Sequence, residues 1–454
     1  MIEIRETLEA ALALSKADAC IVIGRRHTAA NVRWANNTVT TNGASDETAF
    51  SVVSIVGRRV ASVNRTYVRP DQIEEVVRES EAACARRPEA PDYVPLIEGD
   101  GLPDDWKAPA AATDIHAFDA FAPRLGTLFA RARRADVQTF GYAHHGVSTT
   151  WLATSTGLRR RHGDRIGKIE ITAKTPDFAR SSWAGTVAHD FSDVDPGVLF
   201  DKLERRLAWS ERRIALPAGP YEVLLEPSCT ADLALEAYSC MTRRDADEGR
   251  SPYSRPAGGT LMGERLFGGV TMYSDPNDRD IPAAPFHVGV GSGEESSVFD
   301  NGLPVSRTEW VRDGELRALV TPRWWAAKVG APGPVPHIDN LVVAGDGPTL
   351  EEMIARTRRA LLVTCLWYIR TVDPQAALLT GLTRDGVFLV EDGEVRGAVN
   401  NFRWNMSPLT AFTHATEIGR SRPALPREHD EFLRVKAPPV RIERFNMSSV
   451  SEAS

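Results

Sequence analysis

Cysteine is scarce in this sequence: five residues among 454, with no pair spaced as CxxC. An odd, scattered set excludes a disulfide framework and points to reduced thiols in the cytoplasm. Long apolar runs are lacking too. The longest, residues 360–369, is interrupted by Thr364 and falls far short of the ~18 residues that suggest a membrane span. The N-terminus, Met1-Ile2-Glu3-Ile4-Arg5-Glu6, sets acids where a signal peptide carries basic residues, so no export is expected. Nor is there a basic excess. The net charge of -7 gives no general electrostatic reason to hold nucleic acid or anionic lipid.

What is present is the composition of an ordinary globular protein, 42% hydrophobic and 25% charged. The length exceeds the roughly 250–300 residues at which one core stops growing, so two or more domains are expected. Residues 1–86 read as an α+β unit, with helical apolar spacing over 2–14 and strand-like runs at 20–23, 31–34 and 50–56. A second helix opens at Pro70, with acids in its first turn. Residues 87–113, carrying Pro88, Pro91, Pro95, Pro103 and Pro109, read as a linker or as an arm wrapped on a neighbouring surface.

A middle α+β segment, 114–216, has helical spacing over 116–135, β-like sequence as far as Thr175 and a charged helix over 196–215. Residues 217–454 are mostly short strands, with hairpin signals at Asp313-Gly314, Asp385-Gly386 and Asp392-Gly393. One strong helix lies inside them over 230–246. Thr230 can cap it, and Leu233, Ala234, Ala237, Tyr238 and Met241 fall on one face. The fold class is α+β: an antiparallel mixed N-terminal domain and a β-rich layered C-terminal domain, not a doubly wound parallel sheet.

Motifs in the C-terminal half follow one another in a recognisable order. They are Pro217-Ala218-Gly219-Pro220-Tyr221-Glu222 before the helix, Gly259-Thr260-Leu261-Met262-Gly263-Glu264, Val298-Phe299-Asp300-Asn301-Gly302, His337-Ile338-Asp339-Asn340, Thr380-Gly381-Leu382-Thr383 and Val390-Glu391-Asp392-Gly393. Together with Asn31-Val32-Arg33-Trp34 near the N-terminus, this series resembles the TldD/PmbA metalloprotease family. The resemblance implies a zinc motif, His-Glu-x-x-x-His, on the central helix, and a third ligand, a cysteine, from further along the chain. Three protein ligands leave one zinc position open for a water whose proton the motif glutamate moves.

Laid on this sequence, that motif falls on Leu235-Glu236-Ala237-Tyr238-Ser239-Cys240. Glu236 survives, and both histidines are replaced. None of the ten histidines is followed by glutamate, and the stretch 402–420 that would supply the third ligand has no cysteine. The departure resembles the PmbA (TldE) branch, which lacks zinc. It implies a non-catalytic subunit that binds no cofactor itself and pairs with a zinc-bearing TldD-type subunit, or with itself when alone. The substrates implied are unfolded peptides such as the leader peptides of natural products. The other reading is a self-sufficient hydrolase whose metal is held by Glu236, Cys240 and His414.

Large aromatics near arginine, Trp324, Trp325 and Trp404, are candidates for the subunit interface, with core packing as the alternative. The pair His144-His145 lies in β-like sequence, where neighbours point to opposite faces, so the two rings do not share a metal. Arg159-Arg160-Arg161-His162 reads as a solvated basic turn, without the aromatic interleaving of a nucleic-acid surface. Gly289-Val290-Gly291-Ser292-Gly293 has no following lysine, and Gly163 to Lys168 is one residue too short for a phosphate loop.

Overall fold

The protein is described by a computed structural model covering residues 3–293 and 295–452. It is a mixed α+β fold, with four sheets among the described residues. The expected first helix is α1, Ile4–Leu14; Ile2 lies outside the described residues. Six antiparallel strands follow: β1 (Ala19–Ala35), β2 (Thr38–Val56), β3 (Arg59–Arg65), β4 (Gln138–Thr154), β5 (Arg159–Lys174) and β6 (Ser181–Ala188), in the order β3-β2-β1-β4-β5-β6.

Two expectations are corrected here. The runs at 20–23 and 31–34 are parts of one strand, β1. Residues 1–86 and 114–216 are not separate units either, because β1 pairs with β4 from Ile21↔Thr154 to Trp34↔Gly141.

Side chains alternate across this sheet. Its even-numbered β1 face, with Val22, Ala30, Val32 and Trp34, is covered by α1, α2 (Ile73–Ala85), α3 (Phe121–Arg134) and α4 (Pro196–Trp209). Gly24 belongs to this face, and a Cβ there would lie 2.3 Å from Ile4, so glycine is what lets α1 approach. The odd-numbered face begins with Ile21 and Ile23, packed with Phe286 and Phe299 of the C-terminal half. It then turns polar, with Arg25 and His27 alongside Ser148 of β4.

Residues 87–113 form an arm on this sheet. Trp106 is buried against it. Arg160 grips Asp100 with two hydrogen bonds of 2.7 and 2.8 Å, Arg161 reaches Asp105 at 2.8 Å, and Arg159 reaches Glu9 of α1 at 2.7 Å. The basic run is therefore engaged with carboxylates of its own chain.

The C-terminal half holds a seven-stranded, a six-stranded and a four-stranded sheet. The central helix, α5 (Pro227–Ser239), sits between the first two and buries Leu233, Ala234, Leu235 and Tyr238 in the largest core. The helix expected over 230–246 starts earlier and stops sooner. Pro227 occupies its first turn, where a missing N–H costs nothing. At the other end the Ser239 hydroxyl bonds the Glu236 carbonyl, and the chain bridges to Val320 at Thr242 before α6 (Arg243–Asp247). The charged helix expected over 196–215 ends at Trp209, and Arg213–Ile214 joins the seven-stranded sheet.

Candidate functional site

The helix α5 presents two carboxylates one turn apart, Asp232 and Glu236, and four-residue spacing places them on one face. Both are taken by the segment 424–434. The fully buried Asp232 accepts backbone N–H groups of Arg427, Glu428 and His429 at 3.1, 3.0 and 3.3 Å. Burial raises its pKa to about 7, although the three N–H donors pull the other way. Glu236 Oε1 lies 3.0 Å from His429 Nε2. Burial works against the charge on His429, yet the hydrogen bond and charge of Glu236 outweigh it and hold the imidazole above its ordinary value.

The same segment is held from its other side by the polar face of β5. Lys168 pairs with Asp430, Arg434 with Asp164, and Arg427 lies 3.9 Å from Glu170. Arg427 also stacks over Trp367, 4.0 Å from the ring centre. The motif helix, this segment and the N-terminal sheet are thus locked into one layered contact. Where α5 begins, buried Glu226 meets Arg206 of α4, with Lys202 at 3.6 Å. Burial alone would raise the Glu226 carboxyl, but these two cations bring it to about 2.

On the adjacent side of α5, the Tyr238 hydroxyl donates to the Ile338 carbonyl at 3.1 Å and accepts the Ile338 N–H at 3.0 Å. Its ring stacks on His337, whose Nδ1 lies 3.5 Å from Asp339. Nearby, His287 is pushed down to about 4, chiefly by burial, and so is neutral near pH 7. Residues 218–449 match the PmbA/TldA metallopeptidase C-terminal domain.

The chain belongs to the PmbA/TldA family. Among curated proteins none matches it. Solved structures extend the likeness beyond the C-terminal domain. TldE from Thermococcus kodakarensis is 14% identical, with a TM-score of 0.76 over 97% of this chain and 98% of that one. A protein of Bacteroides thetaiotaomicron named as a modulator of DNA gyrase is 14% identical, with a TM-score of 0.77 over 98% of both chains. One of Thermotoga maritima with the same designation is 15% identical, at 0.77 over 98% and 100%. At these identities the likeness establishes the fold across the whole chain.

The zinc that other members of the PmbA/TldA family are expected to bind does not fit the residues present here. Leu235 has no donor atom and is buried in the core. Cys240 caps the end of α5, its thiol pushed up by burial, with Ser239 Oγ at 3.9 Å. His414 turns its Nδ1 to the Thr410 carbonyl of its own helix, 2.9 Å away. Glu236 is engaged by His429. Among the described residues no three of His, Cys, Asp or Glu are grouped to hold a metal, so the set Glu236, Cys240 and His414 is not brought together as a site.

The interface candidates separate. Trp404 is fully buried against Phe445 in the core, and a Cβ on Gly381 would strike it. Trp325 is buried and its Nε1 donates to Asp247 at 2.9 Å, whereas Trp324 is half-buried beside Lys328 and Arg244. His144 stacks on Tyr142, and its neighbour His145 points to the other face, bonding Thr113 and the His189 carbonyl. Sequence reasoning does not single out His429, 193 residues from Glu236, because no local spacing links them.

Proposed function

We propose that this chain is a non-catalytic, TldE-like subunit of a two-subunit zinc peptidase acting on unstructured peptides, with zinc held by a TldD-type partner. The observation that carries the reading is the state of the motif helix. Its one surviving catalytic-type residue, Glu236, is bonded to His429, and its first ligand position is a core leucine. A carboxylate engaged in that way is not free to move a proton for a metal-bound water. The likeness to TldE of Thermococcus kodakarensis supports the same branch. Among the described residues no helix is long and apolar enough to cross a membrane, and all five cysteines are unpaired, which fits the cytoplasmic setting included in the reading.

Co-expression with a zinc-bearing family member from the same genome tests it. The complex should cleave unfolded peptide, with one zinc in the partner. The isolated chain should hold no stoichiometric zinc and cleave nothing. Near-stoichiometric zinc in the isolated chain, with cleavage abolished by a chelator, would sink the proposal. The reading with a metal on Glu236, Cys240 and His414 gains no support, since those side chains are engaged elsewhere.

A further inference from the structure

Beside the start of α5, between it and α4, lies a cavity of about 390 Å³. One wall is α4, which supplies Lys202, Arg205 and Trp209. The other is built by the helix Leu350–Ala355 and the strand Glu394–Val399, which supply Leu350, Ile354 and Val395. Small-ligand sites occupy about 300–1,000 Å³ and combine apolar walls with a few convergent polar groups, which is the make-up found here. Lys202 is the group left without a counterpart. Its ammonium has three N–H donors, yet among the described residues its one polar partner is the Glu226 carboxylate at 3.6 Å, too far for a hydrogen bond. Arg206, by contrast, bonds both that carboxylate and the Trp183 carbonyl. The Lys202 side chain is 29% exposed while lining the cavity. Arg205 is in a similar state, exposed, with the Trp209 ring 6.0 Å away as its only partner among the described residues.

The charges around the cavity do not balance. Of the carboxylates that line it, Glu226 is answered by Arg206, and Glu394 by Arg396 of its own strand at 2.5 Å. Glu351 alone has no ion pair among the described residues, and it is exposed. Against it stand Lys202, Arg205 and the exposed Arg422, whose field reaches both Lys202 and Glu226. Glu226 favours the charge on Lys202, yet burial together with Arg206 and Arg422 holds the ammonium below its ordinary pKa. Cations crowded in this way are relieved by an oxyanion from outside.

We propose that this cavity binds a small phosphate monoester, with its oxygens between Lys202 and Arg205 and its organic group against Leu350, Ile354, Val395 and Trp209. The excess of positive charge matches a dianion, and the apolar wall gives an organic group something that bare phosphate does not use. Lysine and arginine are the side chains that take phosphate, one as a point charge and the other as a planar fork. Glu226 is the residue that precedes α5, so a ligand here sits against the ion pair that ties the motif helix to α4. The assignment is independent of the peptidase reading.

Isothermal titration of the full-length chain with phenyl phosphate tests it, with inorganic phosphate and phenol as the comparison ligands. Phenyl phosphate should bind with a Kd of about 1 mM or tighter, and about tenfold or more tighter than either comparison ligand. It should also slow hydrogen exchange in residues 350–355. Lys202→Met should weaken binding about tenfold or more, as loss of a charge-assisted contact does. Arg205→Gln changes an exposed side chain, so it should leave the thermal midpoint unchanged while weakening binding about threefold or more. Three outcomes would overturn the proposal: no binding of phenyl phosphate at about 10 mM, equal affinity for inorganic phosphate, or wild-type affinity in both variants.

Discussion

Replacing Asp232 with asparagine tests whether α5 has become a clamp for the segment 424–434. The side chain is fully buried, and its pKa lies at about 7 against 3.8 for an ordinary aspartate. A raised folded-state pKa contributes stability that is complete below the unfolded value and is lost as pH rises through the folded one. For Asp232 that window runs from near pH 4 to near pH 7. Each tenfold change in acidity corresponds to about 1.4 kcal/mol, so ionising this group in place costs the native state about 4 kcal/mol across the window.

Asparagine keeps an oxygen for the N–H groups of Glu428 and His429, which share Oδ1, sets its NH2 against the N–H of Arg427, and never ionises. At pH 4 it should be no more stable than wild type, since it gains a buried amide needing partners. Its stability relative to wild type should then climb by up to about 4 kcal/mol toward pH 8. Urea unfolding at matched pH values measures this directly, and hydrogen exchange in 424–434 locates it. A stability difference that stays flat between pH 4 and pH 8 would refute the argument. Asp232→Ala should cost about 2–4 kcal/mol at low pH and speed exchange in the same segment, because three N–H groups lose their acceptor and only water replaces it.

Glu236→Ala should leave peptidase activity of a reconstituted complex within a few-fold, whereas loss of a true general acid or base costs about 100- to 10,000-fold; exchange at His429 should rise in the same variant. Arg206→Ala should cost about 3–5 kcal/mol in urea unfolding, because it leaves Glu226 buried without its main cation. The pair's own contribution, set by a Glu226 carboxyl lowered to about 2, is present above pH ~4.5 and lost as pH falls toward 2. Trp404→Ala should cost about 3–5 kcal/mol as a large core deletion, against less than about 1 kcal/mol for the half-buried Trp324→Ala, and thermal unfolding of the two variants separates them.

Local chemistry is readable where it decides the outcome locally. Asp313-Gly314 and Asp392-Gly393 are two-residue turns with φ of 48° and 83°, and 51° and 80°, joining paired strands. Asp385-Gly386 carries the same signal, yet the strands on either side, Leu378–Thr383 and Val387–Glu391, belong to different sheets. Turn residues fix a local bend and do not say which strand pairs next. β1 reads as two runs in the sequence because Arg25, Arg26 and His27 interrupt its apolar pattern. These residues lie where the sheet's odd face turns polar and Arg26 reaches Asp46, so polarity there marks exposure and not the end of a strand. The basic run at 159–161 finds its carboxylates at Glu9, Asp100 and Asp105, too far along the chain for any spacing rule.

The two carboxylates of α5 are each satisfied by the segment 424–434. A carboxylate turned into a protein interior with no partner is costly, and relief comes from hydrogen bonds, an opposite charge or a bound proton. Asp232 uses the first and third, with three backbone donors and a pKa near 7. Glu236 uses the second, through His429. Leu235 meanwhile adds its side chain to the core shared by Leu233 and Tyr238, so an imidazole placed there would enter an apolar environment. The present residues satisfy one another, and the segment that satisfies them is also the one that grips β5 through Asp430 and Arg434. The junction of the two halves of the molecule therefore runs through Asp232 and Glu236, whose partners that segment supplies.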